Sequence, residues 1–470
     1  MTRTESDPLG KLEVPSEALY GVQTLRAVQN FPISGLRPQA AFVEAVIHIK
    51  KAAAQTHRET GRLDAKMADA IIAAADEVLG GRHREQFVVD VYQAGAGTSH
   101  NMNCNEVLAN RANEILGGRR GEYRPVHPND HVNMAQSTND VIPTSIRLGA
   151  LSLRPALTGA LDQLAEAFLA KGREFDGVIK SGRTHLQDAT PIRLGQEFTA
   201  WGHTLQRCRR RIDGAAEDLS ELGIGGTAVG TGLNAEPAYP GLMVKYLEAS
   251  TGLALRAGED RIQLMQSMGD VAHFSGALRV LAVELGKIAS DLRLLVSGPR
   301  TGLAEIMLPP VQPGSSIMPG KVNPSIAEMV NQVCYQVIGC DETVSRASEA
   351  GQLELNVMMP VIAHNVMFAM TILTSTMNVL RERCVTGITA DEKMCAYWLE
   401  RSPALVTALA PKIGYGESAK LAKEAVAENL TVKQLVEKKG LLQGAELDEV
   451  LNLRKMTEIG VPGSGLPSGG

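Results

Sequence analysis

Aromatic residues are scarce in this chain and make up only 4% of its 470 residues. Leu, Ala, Val and Met are plentiful instead, and alanine, leucine and methionine are among the strongest helix formers. The composition therefore favours a mainly α-helical protein. At this length a single compact core rarely keeps growing, so two or three domains are expected.

The chain also lacks an excess of charge of either sign. Its 47 Lys and Arg residues face 52 Asp and Glu residues, which leaves a formal net charge of -5. No basic field is strong enough to collect nucleic acid, so we expect no nucleic-acid partner. A small anionic substrate would need a local cationic pocket.

Long hydrophobic runs and paired cysteines are missing too. No uninterrupted apolar run is long enough to cross a bilayer, and "MTRTESDPLG" at the N-terminus lacks the apolar part of a secretory signal. We therefore expect a soluble, cytoplasmic protein with no membrane partner. The six cysteines contain no C-x-x-C pair, which favours reduced, partly buried thiols over a disulfide framework or a zinc site.

What the sequence does contain is helical periodicity. Apolar residues alternate in steps of three and four over 271–295, the spacing of a coiled-coil seam on one helix. The pattern recurs over 198–219 and, less regularly, over 157–179. Two further segments, 326–338 and 361–380, are apolar on more than one face, as in buried helices. Such long seams need partners, which predicts an intersubunit bundle; a monomeric bundle is the alternative.

These segments predict three domains. Residues 1–141 are a mixture of short helices and loops, 142–395 form the central long-helix bundle, and 396–470 form a small C-terminal helical domain. The final "PGSGLPSGG" (462–470) is a low-complexity tail that we expect to fray.

Polar stretches, three of them with glycine, interrupt the predicted helices at four places. They are "GAGTSHNMNCNEV" (95–107), "QSTND" (136–140), "SGRTHLQDATP" (181–191) and "PGSSIMPGKVNP" (313–324). Short hydroxyl side chains beside glycine combine with backbone N–H groups to make anion-binding concavities. We interpret the four stretches as one site assembled from distant segments.

Each stretch also has a structural explanation. Taken singly, Thr98, Ser137 or Thr138 is explained as a helix N-cap. His185 alone is explained as a hydrogen-bonded structural histidine, and Lys321 alone as a solvated surface charge. The glycine-rich "GGTAVGTG" (225–232) lacks the strand, helix and following acidic residue of a dinucleotide site, which argues against nucleotide binding.

The combination of stretches resembles the aspartase and fumarase superfamily. Its long signature G-S-S-x-M-P-x-K-x-N is intact here from Gly314 to Asn323. The resemblance runs over nearly the whole chain, from "GVQTLRAVQNFPISG" to "GQLELNV" (351–357) and "IGYGESAKLAKEA". It implies a mainly α, three-domain fold whose long helices form an intersubunit helical core. The Ala-Ser-Gly tripeptide, from which some ammonia-lyases build an electrophile, is absent.

Within the superfamily the chain is most similar to the aspartase branch, through "YGVQT" (20–24), "GAGTS" (95–99) and "STND" (137–140). Aspartases usually carry Met where Ser181 stands and Glu where Met359 stands. These two departures leave the range of substrates open without touching the reaction class.

The resemblance also implies roles for individual residues. The β-carboxylate of the substrate is expected to lie among Thr98, Thr138, Thr184 and His185, with Ser137 and Asn139 at the remaining polar groups and Lys321 with Asn323 at the α-carboxylate. Ser315 is the implied general base, Ser316 supports it, and Glu328 orients His185. His127, Asn129 and Asp130 match a second dicarboxylate site of fumarases, although a capping or loop role explains them equally well.

A serine hydroxyl becomes a base only where its alkoxide is stabilised. One cation at ~4 Å supplies about 4 kcal/mol at an effective dielectric of ~20, which lowers the pKa by roughly three. Backbone N–H groups and exclusion of water must add to this effect. The glycines and prolines of 313–324 let the segment turn its amides inward and close as a lid.

The function expected from the resemblance is the reversible deamination of L-aspartate to fumarate and ammonia. A class II fumarase, acting on malate, and a catalytically silent helical scaffold are the alternatives. We expect a small dicarboxylate substrate, no organic cofactor and no metal ligands, with activation by Mg²⁺ left open. The family architecture implies a homotetramer in which three subunits share each active site.

Overall fold

The computed structural model describes residues 1–463, and α-helices make up most of them. The helices are Val22–Asn30 (α1), Ala40–Glu59 (α2), Ala65–Leu79 (α3), Thr98–Ile115 (α4), Thr138–Glu174 (α5), Leu194–Ala216 (α6), Tyr239–Thr251 (α7), Arg261–Gln266 (α8), Gly269–Leu295 (α9), Ser325–Glu349 (α10), Met359–Arg383 (α11), Glu392–Arg401 (α12), Ala410–Ile413 (α13), Tyr415–Glu428 (α14), Val432–Lys438 (α15) and Gly444–Val450 (α16). The prediction of a mainly α fold is confirmed.

Short strands pair two by two between these helices. They are Thr2–Asp7 (β1), Gly10–Pro15 (β2), Ile179–Thr184 (β3), Gln187–Arg193 (β4), Glu221–Leu222 (β5), Arg256–Ala257 (β6), Ile306–Met307 (β7) and Thr389–Ala390 (β8). β1 with β2, β3 with β4 and β7 with β8 are antiparallel, and β5 with β6 is parallel. None of these strands was predicted from the sequence, because runs this short carry little periodic signal.

The chain divides into two compact units. The first comprises 1–159, 208–283 and 333–374, and the second comprises 160–207, 284–332 and the chain from 375 onward. Each boundary falls inside one of the long helices α5, α6, α9, α10 and α11. The three-domain organisation stays a prediction, and its expected frayed tail lies from 464 on outside the described residues.

The apolar seam over 271–295 is the buried stripe of α9. All of its positions are buried, namely Val271, Phe274, Leu278, Leu281, Leu285, Ile288, Leu292 and Leu295. Because a single chain already covers this stripe, the seam alone does not require a second copy. The intersubunit bundle and the homotetramer therefore stay predictions.

The pattern predicted over 157–179 continues beyond the real end of its helix. α5 ends at Glu174, and Ile179 is the first residue of β3. Phe175 follows the helix directly and packs edge-on against Phe198, with ring centroids 5.2 Å apart. The side chain keeps its place in the core although the backbone has left the helix, which is why the spacing looked helical.

Among the described residues, one helical span, Met359–Gly387, has the length and composition needed to cross a membrane. Half of its most apolar window is buried inside the protein, and core helices of soluble proteins pass the same test. Polar residues such as His364 and Asn365 interrupt the run.

The six cysteines are all buried, as predicted, and burial raises the pKa of Cys334 and Cys384 to about 12.

A buried ion pair joins α5 to the start of α9. Arg147 has no exposed surface, and its Nε and a terminal nitrogen donate to the two carboxylate oxygens of Asp270 at 2.6 and 3.1 Å. The same guanidinium donates to the carbonyl oxygens of Pro143 and Leu264 at 3.2 Å. One side chain therefore links three segments of the first unit.

Replacing Asp270 with alanine should lower the free energy of unfolding by about 3–5 kcal/mol, because it leaves a buried guanidinium without its carboxylate. Glu342→Ala is the matched control, since it removes an exposed partner of Arg346 on α10 and should cost less than about 1 kcal/mol. Denaturant unfolding followed by circular dichroism measures both. Equal losses would contradict a structural role for the buried pair.

Candidate active site

The first polar stretch forms a left-handed turn ahead of α4. Ala96 and Gly97 have φ angles of 61° and 89°, and the Ala96 N–H donates to the carbonyl oxygen of Val357 at 3.0 Å. A Cβ on Gly97 would lie 3.0 Å from Cγ1 of Ile142. The turn presents the exposed Thr98 as the first residue of the helix. Thr98 is therefore placed where backbone amides and the helix dipole favour an anion.

Gly97→Ala should destabilise the protein and displace Thr98, because an L-residue in this conformation costs about 1–2 kcal/mol and the added methyl also meets Ile142. Gly117→Ala is the control, since Gly117 lies past the other end of α4 at φ 82° with nothing within 4 Å of a Cβ. Thermal unfolding should show a larger loss for Gly97→Ala. Equal losses would mean that the contact with Ile142 is irrelevant.

The second stretch caps α5. The hydroxyl of Ser137 accepts the N–H of Asn139 at 3.2 Å, and the Ser137 N–H donates to Asp140 at 2.9 Å. Thr138 accepts a hydrogen bond from the amide of Asn101 at 3.1 Å, and Ser137, Thr138 and Asn139 are all half-buried. The start of α5 is therefore capped, and the side chains of residues 137–139 stay partly accessible to solvent.

The glycine-rich segment 225–232 supports the same helix start. The N–H groups of Gly225 and Thr227 donate to Asp140 at 3.0 Å each, and Ala228 accepts from the Asn139 amide at 2.8 Å. Burial raises the pKa of the Asp140 carboxyl to about 6, although its backbone donors favour the charged form. These amides are occupied by a carboxylate of the protein, which agrees with the argument against nucleotide binding.

The third stretch is the hairpin of β3 and β4. His185 and Leu186 form its tip with φ angles of 55° and 58°, the positive pair that a tight two-residue turn requires. Thr184 and His185 are exposed. The base of the hairpin is fixed by buried charges, since Glu305 pairs with Lys180 at 3.1 Å and with Arg183 at 2.9 Å. The exposed His185 is therefore held at the tip of a hairpin whose first strand is anchored by ion pairs.

The signature loop closes on itself between Gly314 and Asn323. The Gly314 N–H donates to the Lys321 carbonyl at 2.7 Å, and the Asn323 amide donates to the Gly314 carbonyl at 2.8 Å. A Cβ on Gly314 would lie 2.5 Å from that Lys321 oxygen, so the loop neck needs glycine. Gly320 turns the chain at φ 81°.

Inside this loop, the hydroxyl of Ser315 accepts hydrogen bonds from two backbone N–H groups. Its hydroxyl oxygen accepts the N–H groups of Ile317 at 3.2 Å and Met318 at 3.0 Å. Ser315 and Lys321 both line an open cavity of about 460 Å³ bounded by the loop and by 310–313. Ser316 and Lys321 are exposed, and no carboxylate pairs with Lys321 among the ion pairs of residues 1–463.

The predicted site residues fall into the two units. Thr98, Ser137, Thr138 and Asn139 belong to the first unit, and Thr184, His185, Ser315, Ser316, Lys321, Asn323 and Glu328 belong to the second. Their union in one active site stays a prediction. So does the orientation of His185 by Glu328, since no hydrogen bond joins these two among the described residues. That same part of the chain holds no cluster of three potential metal ligands.

The two departures from the aspartase pattern are both buried. Ser181 lies in β3, where its hydroxyl donates to the Gly182 carbonyl at 3.2 Å. Met359 is the first residue of α11 and has no exposed surface. Their influence on the range of substrates stays a prediction.

The proposed second dicarboxylate site takes a capping role in this structure. Nδ1 of His127 accepts the N–H groups of Asn129 and Asp130 at 3.3 Å, at the start of a π-helical turn over Pro128–Val132. The His127 N–H in turn donates to Nδ1 of His131 at 2.8 Å. The capping explanation weighed from the sequence is therefore realised.

Several buried polar residues near the exposed candidates were not predicted from the sequence. Lys50, Asn101 and Asp140 have at most 1% of their surface exposed. Glu106 is buried as well and accepts the N–H groups of Gly21, Gln23 and Thr24 at 2.8–3.1 Å, which explains the "YGVQT" segment as an anchored start of α1. The available signal was the presence of charged and amide side chains at positions with helical core spacing.

Comparison with known proteins identifies the family to which this chain belongs. A model described as Lyase matches residues 10–339, and one described as Fumarase C C-terminus matches residues 405–458. An aspartate ammonia-lyase of Pseudomonas aeruginosa is 51% identical over 456 residues, which cover 96% of each chain. A class II fumarate hydratase of Halobacterium salinarum is 49% identical over 460 residues, which cover 98% of each chain.

The fold agrees with this assignment. A solved structure of a fumarate lyase:delta crystallin from Brucella melitensis, bound to cobalt, matches with a TM-score of 0.94 at 50% identity and covers 97% of this chain and 100% of its own. The protein is thus an enzyme of the lyase class. The chain belongs to the aspartase and fumarase superfamily, and within it the chain is most like the aspartate ammonia-lyases.

Proposed function

We propose that this protein is an aspartate ammonia-lyase, a carbon–nitrogen lyase that converts L-aspartate reversibly to fumarate and ammonia. The observation that carries the proposal is the intact signature loop, in which Ser315 and Lys321 line the same open cavity. Relatives that carry the name aspartate ammonia-lyase at 46–51% identity over nearly the full length support the choice of substrate.

The difficult step is removal of a proton from the carbon next to the β-carboxylate. Deprotonation places a second negative charge on a group that is already charged. Preorganised donors aimed at this developing charge are usually the largest contribution to catalysis. Thr98, Thr138, Thr184 and His185 are the donors proposed for the β-carboxylate, with Ser137 and Asn139 beside them.

Ser315 is the proposed base. Two backbone N–H groups already point at its hydroxyl oxygen, and they would stabilise an alkoxide more than the neutral hydroxyl, because hydrogen bonds to an ionised acceptor are stronger. Lys321 adds positive charge and binds the α-carboxylate together with Asn323. Ser316 supports the loop, and closure of the loop over the substrate would exclude water.

Ammonia leaves without acid assistance if the amine is already protonated, whereas water leaving malate needs a proton donor. The site therefore needs no proton donor for the leaving group of aspartate, whereas it would need one for malate. A class II fumarate hydratase is the second candidate, favoured by the Halobacterium salinarum relative at 49% identity. Met359 matches neither the Glu that is usual in aspartases nor the basic residue that is usual in fumarases.

The remaining features of the proposal concern assembly and environment. A small dicarboxylate is the substrate, and neither an organic cofactor nor a bound metal takes part in the proposed steps. A homotetramer with active sites shared by three subunits is the proposed form, because the architecture of the superfamily implies it. The enzyme is proposed to be soluble and to work in the cytoplasm.

Ultraviolet absorbance of fumarate, with aspartate and malate supplied separately, tests the proposal. Absorbance should rise with aspartate and stay flat with malate. Activity on malate alone would make the protein a fumarate hydratase. Activity on neither would favour a catalytically silent scaffold.

A further inference from the structure

Lys50 is a lysine inside the core of the first unit. It lies on α2 between the buried Ile49 and Ala52, and its side chain has no exposed surface. Burying an ammonium group is costly unless the group is hydrogen-bonded or paired. No carboxylate forms an ion pair with it within the described part of the chain. The donors of Lys50 go instead to two neutral amide oxygens.

These two amides belong to the segment that leads into α5. Nζ of Lys50 donates to Oδ1 of Asn133 at 2.8 Å and to Oε1 of Gln136 at 2.9 Å. The Asn133 amide donates in turn to the Gln136 carbonyl at 3.2 Å. The lysine therefore fixes both ends of the turn that immediately precedes Ser137.

A second link joins the lysine to Thr138. The amide nitrogen of the buried Asn101 donates to Oδ1 of Asn133 at 3.2 Å and to the hydroxyl oxygen of Thr138 at 3.1 Å. Because Lys50 and Asn101 share one acceptor atom, the position of Asn133 is determined by both. A hydroxyl that accepts from Asn101 keeps its own proton free to donate elsewhere. The network thus orients Thr138 as a donor.

The charged and titratable groups around Lys50 come from α4 and α5. Cys104 and His100 face it from α4, and Asp140 faces it from α5. Burial lowers the pKa of Lys50 to about 7, although Cys104 and Asp140 favour its charged form. A protonated lysine has three N–H donors, and loss of one proton leaves two. The bonds to Asn133 and Gln136 therefore persist in either protonation state.

We propose that Lys50 is the positioning residue of the carboxylate-binding segment 137–139: through Asn133, Gln136 and Asn101 it holds Thr138 in the orientation that binds the substrate. The inference rests on the proposed function, since it takes Thr138 as a carboxylate ligand. Lys50 is excluded from solvent, so it acts on the substrate only through these amides. Its loss should weaken dicarboxylate binding and also slow the chemical step, because Thr138 is one of the proposed donors to the developing charge.

Lys50→Met and Asn101→Leu, each similar in size to the original residue, test this inference. Both should weaken fumarate binding in titration calorimetry and raise KM about ten- to hundredfold, the range for losing hydrogen bonds to a charged group, and kcat should fall as well, because Thr138 also serves the transition state. The double variant should lose less than the product of the two effects, because both act on Asn133. Lys51→Met, which removes the neighbouring lysine paired with Asp76, should bind fumarate as the unchanged protein does.

The outcomes separate this inference from the proposed function. Unchanged fumarate binding in folded Lys50→Met, with KM also unchanged, would overturn the positioning role. If Lys50→Met does not fold, as judged by circular dichroism, Asn101→Leu alone decides by the same criteria. Failure of the unchanged protein to use aspartate would refute the proposed function, and the fumarate titrations would still judge Lys50.

Discussion

Replacing Ser315 with alanine is expected to lower kcat by about 10²- to 10⁴-fold, the range lost when a positioned general base is removed. The hydroxyl oxygen of Ser315 accepts two backbone N–H groups and lines the open cavity beside Lys321. Alanine removes the only atom at this position that can take a proton. Steady-state turnover with aspartate measures the loss, and substrate affinity should change far less than kcat.

Two comparisons make this result specific. The loop around Ser315 is largely exposed, so water can replace the lost acceptor and the unfolding midpoint should stay within about 1 °C, which corresponds to a change of a few tenths of a kcal/mol. Ser316→Ala removes the adjacent exposed hydroxyl and should reduce kcat much less. Near-normal turnover in Ser315→Ala would remove it as the base, and an equal loss in both variants would point to the loop conformation instead.

Lys321→Met should lower kcat/KM by about 10²- to 10³-fold, comparable to removing one preorganised donor from an oxyanion site. Lys321 is the proposed partner of the α-carboxylate, and the carbonyl of the same residue closes the loop neck through Gly314. Methionine keeps the length of the side chain and the backbone hydrogen bond, so the change isolates the charge. Kinetics at low and high ionic strength would measure the effect.

Lys11→Met serves as the control for loss of a distant surface cation, because Lys11 is exposed on β2. Its kcat/KM should match that of the unchanged protein. Lys321→Arg should recover part of the activity by restoring the charge, though with different geometry. If Lys321→Met retained normal kcat/KM, the α-carboxylate would have to be bound elsewhere.

Periodicity predicted the long helices well and their ends poorly. The seam over 271–295 coincides with α9 because every apolar residue of one helical stripe is buried. Over 157–179 the same kind of spacing ran past Glu174, since Phe175 returns to the core from outside the helix. A spacing of apolar residues reports burial, and burial does not require that the backbone stay helical.

Exposed candidate site residues were easier to pick out from the sequence than the buried polar residues around them. Thr98, His185 and Lys321 stand out because polar residues and glycine interrupt apolar helices. Lys50 and Asn101 lie within helices, where helical core spacing was the only signal that their side chains are buried. The sequence argued against nucleotide binding by the glycine-rich segment 225–232, but it did not show that the amides of Gly225 and Thr227 donate to Asp140.

The sequence by itself determined the helical class, the positions of the long helices and the identity of the signature loop, because periodicity and a long motif are both written along the chain. Only the tertiary structure decided which buried polar groups meet. Lys50 reaches Asn133 across 83 positions of sequence, and Asp140 reaches Gly225 across 85. Hydrogen bonds of 2.8 and 3.0 Å between such distant residues depend on how the helices pack, which no local pattern specifies.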